Sequence, residues 1–108
     1  MTFEETLAKV QGMTDRIDAS ETEFLAVQVN ITGKEEESGV FYVEIKDGAI
    51  AIERGEYEGY DCSMTMKSKD FNKLIDGKLE PVVAYTLRKL KVDGDLEKVA
   101  EFSDIIKQ

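Results

Sequence analysis

Residues 77–95 read GKLEPVVAYTLRKLKVDGD, and the punctuation in this stretch decides how the C-terminal half folds. Gly77 follows the run Phe71–Asp76, and a residue free to take positive φ at that point predicts a helix stop. Pro81 predicts a new helix start, because its ring suits a first turn where its missing N–H is not needed. Leu90-Lys91-Val92-Asp93 alternates like a short strand. Gly94-Asp95 predicts a turn whose aspartate caps a last helix. The stretch therefore reads as helix stop, proline-started turn, strand and capped helix.

Upstream, Thr2 and Glu5 are spaced as a capping box for a first helix. Phe3, Leu7, Val10, Met13 and Ile17 follow at spacings of four and three, a helical stripe expected to run to Asp18. Leu25, Val27, Val29 and Ile31 alternate with Ala26, Gln28 and Asn30 as a half-buried strand. Phe41, Val43 and Ile45 form a second, Asp47-Gly48 signals a tight hairpin, and Ile50 with Ile52 gives a third. Cys62, Met64 and Met66 alternate with Ser63, Thr65 and Lys67 as a fourth. Ser68 is placed to cap a helix carrying Phe71, Leu74 and Ile75. The last helix puts Leu96, Val99, Phe102, Ile105 and Ile106 on one face. A helix, a meander of antiparallel strands, two helices, a fifth strand and a final helix predict an α+β, two-layer fold. Its five-stranded, mostly antiparallel sheet has helices covering one face, while polar alternates on every strand face water. With 108 residues, no repeat and no linker, residues 1–108 are expected to form a single domain.

The formal charge is −9, from 14 Lys+Arg against 23 Asp+Glu. That balance argues against a nucleic-acid partner and against strong electrostatic docking on an anionic membrane, leaving at most transient apolar membrane contact. No apolar run approaches the ~20 residues needed to span a bilayer. The acidic start Met1-Thr2-Phe3-Glu4-Glu5 lacks the basic and apolar regions of a signal peptide. One cysteine excludes an intramolecular disulfide and fits a reducing compartment, so a cytoplasmic location is expected.

The chain has no histidine, which removes the commonest general base and a frequent metal ligand. Glu35-Glu36-Glu37 reads as a solvated charge run in a turn. Asp93-Gly94-Asp95 lacks the acidic spacing of a calcium loop and reads as a turn plus cap. Gly33-Lys34 is not a phosphate loop, and Asn30-Ile31-Thr32 matches a glycosylation acceptor only in pattern. Cys62 reads as an inert core thiol. An acid–base pair would have to come from Asp61, Asp93 or Asp95, with no nucleophile or metal site beside it. No catalytic, metal or cofactor site is expected. The apolar signal is spread over several elements: Met64 and Met66 beside Cys62, and Met13 on the first helix. Methionine suits an irregular core or a pocket for varied apolar guests.

Three stretches in order carry a family resemblance: Val43–Gly48 (VEIKDG), Tyr60–Phe71 (YDCSMTMKSKDF) and Gly77–Asp95. The last is similar to the run G-K-L-x-P-x-x-A-[FY]-x-x-x-K-L-K-[VI]-x-G-[DN] of the sterol carrier protein family (type 2). Residues 39–106 resemble that family in sequence, and residues 1–38 in length and pattern. The resemblance implies a non-catalytic lipid carrier with an apolar tunnel between sheet and helices, closed by the C-terminal helix. The ligand it implies is a fatty acyl chain, acyl-CoA, sterol or similar lipid. The walls it implies are Val43, Ile45, Met64, Met66, Phe71, Leu74, Tyr85, Leu90, Phe102 and Ile106, in a monomer or weak dimer. Because the domain also occurs fused to enzymes in that family, an accessory or dimerisation module without lipid is the alternative. The end, Ile106-Lys107-Gln108, differs from the peroxisomal S-K-L address of some relatives.

Two positions depart from the pattern. Tyr60 replaces an alanine, and Arg88 replaces a glycine before Lys89-Leu90-Lys91. Arg88 is expected to take a backbone conformation that a side chain allows, with its cation solvated rather than paired to a ligand carboxylate.

Overall fold

The structure is a computed structural model and describes residues 1–106; Lys107 and Gln108, on which the reading of a C-terminal address rests, lie outside the described residues. Helix α1 spans Phe3–Gly12, and strands β1 (Leu25–Thr32), β2 (Gly39–Lys46), β3 (Ala49–Arg54) and β4 (Cys62–Lys67) follow. Helices α2 (Ser68–Ile75) and α3 (Pro81–Thr86), strand β5 (Leu90–Gly94) and helix α4 (Leu96–Ile106) complete the order.

Each boundary has a local cause. The Thr2 hydroxyl accepts from Glu5 N and the Glu5 carboxylate accepts from Thr2 N, so the capping box is formed in full. The first helix is shorter than its apolar stripe. It stops at Gly12, a poor helix former, and Thr14 donates its hydroxyl to the Gln11 carbonyl as a 3₁₀ turn takes over at Thr14–Arg16. Met13 and Ile17 still pack on the core from that turn. Ser68 is the first residue of α2 rather than its cap, with Lys67 in the flanking extended position. Asp47 (φ 53°) and Gly48 (φ 79°) both sit in the left-handed region that a two-residue hairpin turn requires.

The two helix stops near the C-terminus are the same motif. After α2, Gly77 N–H bonds to the Leu74 carbonyl and Lys78 N–H to that of Lys73. After α3, Arg88 N–H bonds to the Tyr85 carbonyl and Lys89 N–H to that of Ala84. This pair of bonds satisfies orphan carbonyls and needs a left-handed residue between them. Gly77 supplies it with φ 78°; Arg88 supplies it with φ 62°. The expectation that Arg88 would avoid glycine-like geometry is therefore corrected. The hydrogen bonds of Arg88 and Lys89 outweigh the steric cost of the side chain, about 1 kcal/mol. Arg88→Gly is expected to raise stability by about 0.5–1 kcal/mol in urea unfolding, and a loss of stability would contradict this account.

The sheet order is β3-β2-β1-β4-β5. Three of the four pairings are antiparallel, but β1 and β4 run parallel, Val27 opposite Cys62 and Val29 opposite Met64. The strands do not form one continuing meander. After β3, at one edge, the chain returns across β2 and β1 to add β4 on the far side. Residues 55–61 make this crossing over the polar face, where Tyr57 N–H bonds the Gln28 side chain (2.9 Å) and Tyr57 Oη donates to Glu44 (2.7 Å). Tyr42 meets the Tyr57 ring edge-on at 5.2 Å. The second face is thus partly covered, which is why Ala26 and Ser63 are buried there.

Register aligns apolar rows across the other face. Phe41, Val29, Met64 and Val92 form one row; Ile52, Val43, Val27 and Cys62 form the next. The helices roof this face. Phe3 and Leu7 from α1, Phe71 and Leu74 from α2, Ala84 from α3, and Val99, Phe102 and Ile106 from α4 join the strand residues in one buried cluster. Phe41 anchors its centre, with Phe71 edge-on at 5.8 Å and Phe3 tilted at 6.3 Å. Each fully buried large apolar side chain contributes about 1.5–3 kcal/mol.

Candidate apolar site between sheet and helices

Of the ten residues expected to line an apolar site, nine come together in the buried layer: Val43, Ile45, Met64, Met66, Phe71, Leu74, Leu90, Phe102 and Ile106. Strands β2, β4 and β5 supply five of these from alternate positions, and α2 and α4 supply four from helical faces. Tyr85 stands apart, 48% exposed. Helix α3 is short and buries only Pro81 and Ala84, so the neighbour of Ala84 is turned toward solvent. Among the described residues, Thr6 Oγ1 and Ser103 Oγ are buried within the fold without a hydrogen-bond partner.

The layer reaches the surface at several depressions, among them one seam beside α1. An open groove of about 710 Å³ runs between α1, the end of α2 and the last turn of α4. Ala8, Gly12 and Met13 line one side, with Ile75, Gly77 and Ile106 opposite. Ile75 and Ile106 are also members of the buried cluster, so the floor of the groove is the core itself. Lys9 and Arg16 stand on the rim. Lys9 is held there by Asp76 at 2.9 Å and by Asn72 at 3.2 Å. The sequence reading missed Ala8, Gly12 and Ile75 here. The signal was present: Ala8 and Gly12 are four apart on one helix, so two small residues share a face and leave a trough.

The candidate acid–base carboxylates are all engaged structurally. Asp61 accepts from Ala26 N–H (2.9 Å) and pins β4 to the start of β1. Asp93 accepts from Tyr60 Oη (2.6 Å), which holds that phenol above its ordinary pKa. Asp95 caps α4 by accepting from Glu97 N–H (2.9 Å). Burial, with the charges of Asp61 and Asp95 adding to it, pushes the Cys62 thiol up to about 12. That keeps it protonated and unreactive at neutral pH. The hydrogen bond to Glu44 likewise pushes the Tyr57 phenol up to about 12. Among the described residues, no group of three or more His, Cys, Asp and Glu is placed to hold a metal ion. Among the same residues, no helix is long and apolar enough to cross a membrane.

A mixed five-stranded sheet with one apolar face roofed by four helices defines the class: an α+β two-layer fold enclosing an apolar layer. The chain belongs to the SCP-2 sterol transfer family, whose sequence pattern matches residues 3–107. Sterol carrier protein 2 of Arabidopsis thaliana is 31% identical over 83 residues, covering 73% of this chain and 66% of that protein. Hydroxysteroid dehydrogenase-like protein 2 of Xenopus tropicalis is 30% identical over 107 residues, covering 98% of this chain and 25% of that protein. The chain therefore spans about a quarter of the length of that dehydrogenase-like relative. Among solved structures, palmitated SCP2L2 from Aedes aegypti superimposes with a TM-score of 0.72 at 17% identity, over 100% of this chain and 96% of that one. The sec-alkylsulfatase Pisa1 from a Pseudomonas species gives 0.74 at 17% identity, over 86% of this chain and 15% of that one. At those identities the two structures speak for the fold alone.

Proposed function

We propose that this protein is a non-catalytic carrier that binds a fatty acyl chain, acyl-CoA or similar lipid non-covalently between the sheet and the helices. The observation that carries the reading is the seam: Ile75 and Ile106 belong at once to the groove and to the buried cluster. A chain entering there passes from solvent into apolar contact without crossing a polar layer. Each CH₂ it buries contributes about 0.8 kcal/mol, which drives α4 away from α1 and the end of α2. Met64 and Met66 can re-pack around a guest, because an unbranched thioether has several low-energy conformations. Bound water or the polar end of a lipid would satisfy the unpartnered hydroxyls of Thr6 and Ser103, whose burial costs about 1–3 kcal/mol each. Membership of a sterol transfer family supports a lipid ligand.

The test uses the groove floor. A Cβ added at Gly12 would meet nothing within 4 Å among the described residues, which leaves room for Gly12→Phe to project a ring into the groove. Titration of the delipidated protein with a fluorescent fatty acid is expected to saturate in the micromolar range. Gly12→Phe is expected to weaken binding tenfold or more with an unchanged far-UV circular dichroism spectrum. No saturable binding by the parent protein, and no lipid retained in native mass spectrometry before delipidation, would overturn the proposal.

One observation favours a second reading. The nine candidate wall residues are all buried in one cluster, as they would be in an accessory module that serves a partner and holds no lipid. A stable dimer in sedimentation velocity together with an absence of lipid binding would establish that reading instead.

A further inference from the structure

The formal charge of −9 conceals a segregation. Residues 67–91 hold seven of the 14 Lys and Arg and only three of the 23 Asp and Glu. The fold gathers four of these cations, Lys67, Arg88, Lys89 and Lys91, around one depression beside α3. Helix α3 itself is apolar on its outward side. Val82 is 58% exposed, Val83 48% and the adjoining Leu87 56%, with Tyr85 next to them. Two acidic groups oppose the cations: Asp70, which is buried in the depression, and Glu80 at the start of α3.

We propose that α3 and the adjoining end of β5 form a docking surface for an anionic lipid bilayer. Single exposed apolar residues are ordinary, but three large ones on a helix of six residues and a fourth directly after it, with Lys78 before the helix and three cations beyond it, are not. Valine and leucine side chains enter the headgroup boundary, while lysine and arginine stems lie along apolar surface with their charges at the phosphates. The chain's net charge does not oppose this. Screening over ~8 Å at physiological salt leaves the nearby cations to dominate, whatever the far side carries. Arg88 fits the same picture. It occupies a left-handed position that glycine would fill at less cost, and it adds a cation at the rim of the apolar face. The edge of the groove at Asp76-Gly77 is joined to α3 by residues 78–80. The docking surface does not depend on whether the groove holds lipid.

Co-sedimentation of the delipidated protein with vesicles tests it. Binding is expected to vesicles of phosphatidylcholine with a third phosphatidylglycerol, to fall as salt rises, and to be absent with phosphatidylcholine alone. Each cation near such a surface is worth about fivefold in partitioning. Lys89→Glu/Lys91→Glu is therefore expected to lower partitioning roughly 25-fold or more. Lys46→Glu, on the hairpin at the opposite edge of the sheet, makes the charge change of Lys89→Glu and is expected to leave binding nearly intact. Val82→Ser/Val83→Ser is expected to weaken it as well. No binding to the anionic vesicles overturns the proposal, as does equal loss in Lys46→Glu and Lys89→Glu. Binding unaffected by Val82→Ser/Val83→Ser but lost in Lys89→Glu/Lys91→Glu assigns the face to an acidic soluble partner and equally overturns it.

Discussion

Gly94→Ala is expected to lower stability by about 3 kcal/mol or more, a fall in Tm of roughly 12 °C or more. Gly94 ends β5 opposite Cys62 with φ 98°, a conformation that L side chains rarely adopt. A Cβ there would stand 2.6 Å from the Asp61 carbonyl oxygen and 3.0 Å from Cys62 Cα. Both are backbone atoms, and Asp61 cannot retreat. Its N–H bonds the Ala26 carbonyl and its carboxylate accepts from Ala26 N–H, each at 2.9 Å. The added methyl would drive β5 from β4 and displace Asp95, which caps α4. Strain at positive φ contributes about 1–3 kcal/mol and the clash a similar amount. Gly55→Ala separates the two. With φ 118° but nothing within 4 Å of the added Cβ, it is expected to show the strain alone. Thermal denaturation of both variants by circular dichroism checks the difference. Equal losses would show that the close approach to Asp61 carries no cost.

Phe102→Ala is expected to cost about 3–5 kcal/mol, because it removes a fully buried ring from the middle of α4's packed face. Helix α4 lies against β1 and β4, and its neighbours Val99 and Ile106 cannot collapse into the hole without moving the helix. The same hole opens within the layer proposed to take an acyl chain. Palmitate is therefore expected to restore more stability to Phe102→Ala than it adds to the parent protein, because the chain enters a cavity instead of prising a packed interface apart. Differential scanning fluorimetry with and without palmitate gives both quantities. A loss below ~1 kcal/mol would contradict the packing account. An equal palmitate shift in both proteins would place the lipid away from Phe102.

Much of the fold is legible where a residue's chemistry acts on its own neighbours. Thr2 and Glu5 announce the first helix, Asp47-Gly48 the hairpin, Gly77 and Pro81 a stop and a start, and Asp95 the last cap. Alternation marks all five strands. The departures arise where distant contacts decide. Alternation cannot say which strand is a neighbour, so the parallel pairing of β4 with β1 is invisible in the chain. Periodicity carries the first helix past Gly12, although the packing of Met13 and Ile17 is equally served by a 3₁₀ turn. Arg88 misleads because a side chain argues against positive φ, whereas the closure of α3 requires it.

The candidate site shows the same division. Its apolar composition follows from patterns of period two and 3.6, and nine of the ten residues that the family resemblance implied lie in the buried layer. Tyr85 does not, because a helix of six residues can bury only the one side that Pro81 and Ala84 occupy. By itself, then, the sequence determined the local turns, the caps, the apolar faces and, through three ordered stretches, the family. Only the tertiary structure decided the strand order, the seam over Ile75 and Ile106, and the gathering of Lys67, Arg88, Lys89 and Lys91 beside the exposed face of α3. The physical reason is range. Caps and turns act over three or four residues, whereas a groove and a charged surface exist only once segments far apart in the chain have been packed side by side.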